Sequence, residues 1–306
     1  MSTLELPLDL PLPSFVIDLT STKRSSPNSL PTLSQNDIQT YNLTPLTNLK
    51  SNDSHVKSGK YIVEGIENAK VLLTTSVTCT LLCLKKSSYI TLLPFLKSYS
   101  TKNPTFKSYI LTSPQLESLT TFPISRGCIG YGPVPPPPSS FQNRKIIALD
   151  KISDVSNLGT IIRTASNIGA DVVLSSDCCN QWYRRSVRCS MGEVFRVKVG
   201  RVEDFRGWVE GRRGEGYGVY AASLGEGGKG LEEVTEVEDK WVVIFGNEGE
   251  GVRKEIEEAA DHKVRIESCG DVDSYNVGVS VGIVGYWMWK HMKGKQIVGD
   301  GGKKEI

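Results

Sequence analysis

The 306-residue sequence predicts an α/β protein with two parts: a small α/β unit, then a larger α/β domain whose mainly parallel sheet has helices on both faces. Three observations predict it. From Lys145 onward, short apolar runs alternate with helical segments. A shorter alternation of the same kind occupies residues 60–132. Between them stand Pro135 to Pro138, four consecutive prolines that favour a stiff, extended spacer.

Taken in order, residues 1–59 are rich in Ser, Thr, Pro and Asn and show no sustained period of 2 or 3.6. Such a composition buries too little apolar surface to offset its ordering entropy, so it reads as a flexible N-terminal arm. Order begins at Tyr61-Ile62-Val63-Glu64-Gly65, a strand leading into a helix. Strands follow at 80–84, 107–111 and 128–131, and Ser113-Pro114 offers a capping hydroxyl and an early-helix proline. Residues 133–144 form the Pro-rich linker.

In the larger domain, 145–293, strands are expected at 146–149, 171–174, 194–199, 218–221 and 241–245. A helix is expected at 159–168 and a final one at 277–292, with 294–306 as a C-terminal tail. Gly278, Gly282 and Gly285 share roughly one side of the final helix. Glycine weakens a helix by about 1 kcal/mol against alanine, so three of them point to close packing, within the chain or across a dimer.

Bulk properties exclude several classes. A formal charge of +2 provides no global basic field, so any nucleic-acid site must be a local cluster. The longest apolar stretch, 277–289, is too short to span a bilayer, and no membrane partner is expected. Seven scattered cysteines without CxxC spacing and only three histidines give no basis for a metal site. They suit reduced thiols in an intracellular setting, cytoplasmic or organellar. The opening residues, with Glu5 and Asp9 among prolines, fit neither a signal peptide nor an Arg-rich transit peptide.

Ligands of parallel α/β sheets bind at loops beyond the carboxyl ends of strands, and three such loops stand out. The first runs from Asp150 to Arg163. Asn157 is expected to cap the following helix, with Ile161, Ile162, Ala165 and Ile168 on its buried face. Arg163 then sits among apolar neighbours and calls for an anionic partner, either a ligand or a nearby carboxylate. The second, Gly246-Asn247-Glu248-Gly249-Glu250-Gly251, directly follows the apolar strand 241–245. Its two carboxylates would repel a polyphosphate but tolerate a cationic or neutral ligand, and it lacks the Lys-Ser/Thr ending of a phosphate loop. The third, 266–276, ends in Ser274-Tyr275-Asn276, where Ser274 or Asn276 can cap the last helix.

In this order and spacing the loops resemble the SpoU (TrmH-like) family of RNA ribose methyltransferases, in the SPOUT superfamily. The family's Asn-x-Gly-x-x-x-Arg-Thr-Ala stands here from Asn157 to Ala165, and its Gly-Asn-Glu-Gly-x-Gly from Gly246 to Gly251. Its Ser-Leu-Asn-Val-Ser-Val-Ala is matched by Ser274-Tyr275-Asn276-Val277-Gly278-Val279-Ser280, with Tyr for Leu, Gly for Ser and Ser for Ala. The segment from Arg188 to Phe195 resembles the family's Ser-x-Gly-Ala region, and 60–132 resembles its small RNA substrate-binding domain.

The resemblance implies a trefoil-knot α/β catalytic domain, S-adenosylmethionine as cofactor, and methylation of a ribose 2′-hydroxyl in structured RNA, either rRNA or tRNA. It implies a cofactor pocket at Gly246, Ile266, Tyr275 and Asn276, and a homodimer with the active site near the interface. Arg163 would bind RNA phosphate and stabilise the developing alkoxide, because a guanidinium stays protonated. Asn157 and Glu248 would hold it. Trp182, Tyr183, Arg184, Arg185 and Arg188 form an aromatic and basic cluster suited to RNA. Two other readings compete: a non-catalytic RNA-binding protein that keeps the fold, and a dinucleotide-dependent oxidoreductase. The second has only glycine loops in its favour and lacks GxGxxG with its distal acid.

Overall fold

The computed structural model describes residues 12–21, 32–47, 49, 54–124, 127–225, 227–269 and 274–292. The chain divides into two compact units. One comprises Met1–Pro135 with Trp182–Phe195, and the other Pro136–Gln181 with Arg196–Ile306. The expected tail 294–306 lies outside the described residues.

The strands of the first unit are β1 (Val16–Asp18), β2 (Lys60–Glu64), β3 (Leu81–Leu84), β4 (Lys107–Ile110) and β5 (Cys128–Pro133), in the spatial order β1-β4-β3-β5-β2. β1, β4 and β3 run parallel, while β5 is antiparallel to both β3 and β2. Its helices are α1 (Gln35–Thr40), α2 (Ser54–Lys57), α3 (Ile66–Leu73), α4 (Lys86–Lys102), α5 (Ser113–Thr120) and, from the inserted segment, α7 (Arg184–Cys189). α5 starts one residue earlier than Ser113 would place it. Thr112 is the cap, its hydroxyl accepting from Gln115 N at 3.3 Å while the Gln115 side chain accepts from Thr112 N at 2.7 Å.

The described parts of 1–59 are not an arm. β1 pairs along β4, and Leu19, Leu33, Leu43, Leu46 and Leu49 are buried against Tyr109, Ile129 and Tyr131. Each such leucine contributes roughly 1.5–3 kcal/mol of burial, which offsets the ordering cost. Their irregular spacing among Ser and Pro hides them from any periodicity test. The expected strand 194–199 is instead a helical turn, Glu193–Phe195, and the strand begins later. Phe195 is drawn away from a strand register because it packs at 5.0 Å on the buried Tyr61 of β2.

The second unit contains β6 (Lys145–Leu149), α6 (Val155–Ile168), β7 (Asp171–Ser175), β8 (Val199–Val202), α8 (Phe205–Gly214), β9 (Gly218–Ala222), β10 (Lys229–Gly230), β11 (Trp241–Phe245), α9 (Lys254–Glu257), β12 (His262–Arg265) and α10 (Val277–His291). All seven strands are parallel, in the order β10-β12-β9-β11-β6-β7-β8. One face of the sheet, carrying Ile146, Ala148, Val242 and Ile244, packs on Phe205 and Val209 of α8 and Ile256 of α9. The alternate residues face α6 and α10, which pack along each other. A sheet covered on both faces explains why its strands read as unbroken apolar runs. Winding reverses between β6 and β11, so the loops after these strands flank a switch point where ligands of such sheets bind.

Candidate active site

The loop after β11 is held in one shape by its own atoms. Asn247 and Gly251 exchange backbone hydrogen bonds at 3.1 and 2.8 Å. The Asn247 side-chain oxygen accepts from Gly249 N at 2.8 Å and Glu250 N at 3.3 Å, while its amide nitrogen donates to the Lys151 carbonyl at 3.2 Å. Gly246 starts the turn, and a Cβ there would overlap the Gly251 carbonyl and the Val252 nitrogen. Only glycine fits, because the obstacle is backbone and cannot rotate away.

The loop after β6 is locked to the same place. Asp150 is fully buried and is held by Arg253, whose Nη2 and Nε donate to its Oδ1 at 2.6 and 2.9 Å. The Arg253 backbone N–H donates to Oδ2 at 3.0 Å. The carboxylate contact pushes the Arg253 guanidinium still further above its already high ordinary pKa. Lys151 pairs with Glu250 at 3.2 Å across the two loops. Arg201 adds a third brace, donating to the carbonyls of Ser175, Ser176, Cys178 and Cys179 at 2.7–2.9 Å, and Cys179 N then donates to Ile152 O at 2.7 Å.

α6 starts four residues earlier than expected. Asp154, not Asn157, is its cap, with Oδ1 accepting from Ser156 N and Asn157 N, each at 2.8 Å. That frees the Asn157 side chain to reach across loops. Its amide nitrogen donates to Glu248 Oε1, and its oxygen accepts from Asn276 Nδ2 at 3.0 Å. Asn276 does cap α10, its oxygen accepting from Gly278 N at 3.0 Å. One residue from each of the three loops therefore meets in a single hydrogen-bonded cluster.

Beside the cluster a cavity of about 390 Å³ opens at the carboxyl ends of β9, β11 and β12. Gly246, Ile266 and Tyr275, all expected to bind cofactor, line it. Asn276 does not line it but fixes the helix start beside it. Glu248, Glu250 and Glu257 border the cavity, with Arg265 as its one basic neighbour among the described residues. Burial works to raise the Glu257 carboxyl, but hydrogen bonds from Lys263 (2.7 Å) and Ser223, with the Lys263 charge, hold it below its ordinary value. The size falls in the range of small-molecule sites. The donor set suits a ligand bearing positive charge, hydroxyls and an amine, and disfavours a polyphosphate.

Arg163 is exposed rather than set among apolar neighbours, because it lies off the buried stripe of Leu158, Ile161, Ile162 and Ala165. Among the described residues no carboxylate pairs with it, and Asn157 and Glu248 hold each other instead of it. Gly278, where the motif departs from its family, fits close packing: a Cβ would press Thr160 of α6 at 3.1 Å. Gly285 likewise faces Ile168 of α6, whereas Gly282 faces open space.

Within the first unit, the aromatic and basic segment is partly consumed by packing. Trp182 is 8% exposed and packs at a tilt on Tyr61 and Phe195, with ring centroids 5.8 and 6.1 Å away. Arg184 pairs with the buried Glu64 at 2.7 Å and covers the Phe122 ring at 4.5 Å. These two hold α7 to β2. Tyr183 and Arg188 are half-buried, and Arg185 is exposed. The residues that sequence reasoning missed are Asp150, Asn247, Arg253 and Glu257. A carboxylate placed directly after the apolar strand 145–149 was the available signal for Asp150.

Known proteins resemble the chain in sequence and in fold. Residues 144–286 match the model of the SpoU rRNA Methylase family. An uncharacterized tRNA/rRNA methyltransferase of Borreliella burgdorferi is 33% identical over 144 residues, which is 47% of this chain and 62% of that protein. The 23S rRNA (guanosine(2553)-2′-O)-methyltransferase RlmP of Bacillus subtilis is 32% identical over 152 residues, 49% of this chain and 58% of that protein. The chain thus spans about three fifths of these relatives' length. The AdoMet-bound rRNA methyltransferase from Sinorhizobium meliloti has the same fold, with a TM-score of 0.69 at 22% identity, over 90% of this chain and 98% of that one.

Proposed function

We propose that this protein methylates a ribose 2′-hydroxyl of structured RNA, rRNA or tRNA, with S-adenosylmethionine as methyl donor. The observation that carries the reading is the meeting of Asn157, Glu248 and Asn276 at the rim of a carboxylate-bordered cavity. The cavity's negative border complements a sulfonium and an ammonium, and the bound cofactor would supply an electrophilic methyl carbon. Gly246, Ile266 and Tyr275 would hold it, largely through backbone groups. The 2′-oxygen would bond to that carbon as the carbon–sulfur bond breaks, its electron pair going to sulfur and the hydroxyl proton to solvent.

Alignment of the three atoms is the main requirement, so rigid loops should supply much of the rate. The braces at Asp150, Asn247 and Arg201 serve that end. Arg163, exposed and unpaired among the described residues, is available to an anionic ligand. It would bind an RNA phosphate and stabilise the negative charge growing on the 2′-oxygen. Arg185 and Arg188 would add phosphate contacts. Val279, Ile283 and Tyr286 give α10 an exposed apolar face, 36–55% accessible, which supports pairing with a second copy.

The test is methylation of rRNA and tRNA by the purified protein, followed by nucleoside mass spectrometry. A 2′-O-methylnucleoside is expected, and a base-methylated product would refute the reading. Arg163→Lys keeps the charge but loses the planar fork. It should lower turnover by roughly 10²–10³ while cofactor affinity stays unchanged. Absence of cofactor binding in the parent protein would favour the non-catalytic alternative.

A further inference from the structure

We propose that the exposed face of α4 in the first unit is a second RNA contact, an unpaired lysine surface that grips the phosphate backbone, in addition to the methyl-transfer cavity of the second unit. The inference rests on RNA being the substrate and adds where else the chain holds it. Between Glu67 and Glu117 the sequence contains no acidic residue and six lysines: Lys70, Lys85, Lys86, Lys97, Lys102 and Lys107. Lys70 pairs with Glu67. The other five form no ion pair among the described residues, in a chain whose formal charge is only +2.

α4 places three of them on one side. Its buried positions are Ser88, Tyr89, Leu92, Leu96 and Tyr99. At 100° per residue these fill about one third of the circumference, and Lys86, Lys97 and Lys102 lie within a sector of about 160° opposite. Ser87, Thr91 and Ser98 are exposed between them. Lys86 and Lys102 stand about 24 Å apart along the axis at 1.5 Å per residue, a span that covers several phosphates.

Charge complementarity selects the occupant. Like charges held together without counter-charges repel each other and favour a polyanion, and the interspersed hydroxyls suit phosphate and sugar oxygens. A membrane surface fits less well. Ile90, at 39% exposure, is the only large apolar side chain exposed on this face, and interfacial helices need an apolar stripe to insert.

The test uses the full chain and the variants K86E/K97E/K102E and K86Q/K97Q/K102Q, with K254E in the second unit as a charge control. Circular dichroism and cofactor titration verify folding. Binding of a fluorescent RNA hairpin is measured against salt, beside equimolar phosphatidylserine–phosphatidylcholine vesicles. The parent should bind RNA, and each triple variant should lower the salt slope by roughly two to three, one phosphate per lysine. Affinity at low salt should fall at least about tenfold, more for glutamate than glutamine, while K254E matches the parent. A parent that binds RNA with variants of unchanged slope overturns this surface and leaves the methyltransferase reading intact. A parent that binds only vesicles, or neither probe, overturns both.

Discussion

The Asp150–Arg253 pair gives the most direct test of how the cavity is held together. Asp150 is fully buried, and Arg253 supplies the guanidinium donors at 2.6–3.1 Å as well as a backbone N–H at 3.0 Å. Arg253→Met keeps the aliphatic stem and removes the guanidinium, leaving a buried carboxylate with one backbone donor. Breaking a buried pair in this way costs about 3–5 kcal/mol. The surviving N–H and the partial exposure of Arg253, 27% of its side chain, place this case near about 3 kcal/mol. For a unit of this size that lowers the melting temperature by about 6–12 °C. Asp150→Asn in the same background removes the stranded charge, so the double variant should lose less than the sum of the singles, with a coupling of about 1–3 kcal/mol. Urea denaturation followed by fluorescence reads the unit directly, because Trp241 of β11 is fully buried. A cost below about 1 kcal/mol for Arg253→Met, or strict additivity in the cycle, would refute the claim that this pair closes the site.

Three further outcomes follow from the same geometry. Gly246→Ala should abolish cofactor binding by calorimetry, since the added Cβ would overlap the Gly251–Val252 backbone; retained affinity would show that the turn yields. Glu257 has a folded pKa below its unfolded one, so its contribution to stability is present above the usual carboxylate value and lost as pH falls through the folded one. The difference in melting temperature between wild type and Glu257→Gln should therefore be largest near neutrality and shrink below about pH 4; a difference independent of pH would contradict the assignment. Ile283→Arg places a charge on the exposed face of α10 and should yield a monomer by light scattering; an unchanged dimer would move the interface elsewhere.

Much of the second unit was legible in the chain itself. Unbroken apolar runs such as 241–245 must be buried on both sides, which implies a parallel sheet under helices, and the three motif loops then fall at strand ends. Gly246 was readable as a place needing close backbone approach, and Asn276 as a cap. The first unit was less legible. Leu33, Leu43, Leu46 and Leu49 lie in a stretch whose composition signals disorder, and burial of each depends on a sheet surface built from residues 60–133.

Element type, caps, glycine turns and the identity of the three loops are local, periodic properties, legible along the chain. Which side chains engage one another is settled by packing in three dimensions. Arg184 is consumed by Glu64 and Trp182 by Tyr61, while Asn157, released by the Asp154 cap, joins Glu248 and Asn276. The physical reason is range. Backbone propensity acts over a few residues, whereas a hydrogen bond between positions 157 and 276 exists only after two distant segments have been packed to within 3.0 Å.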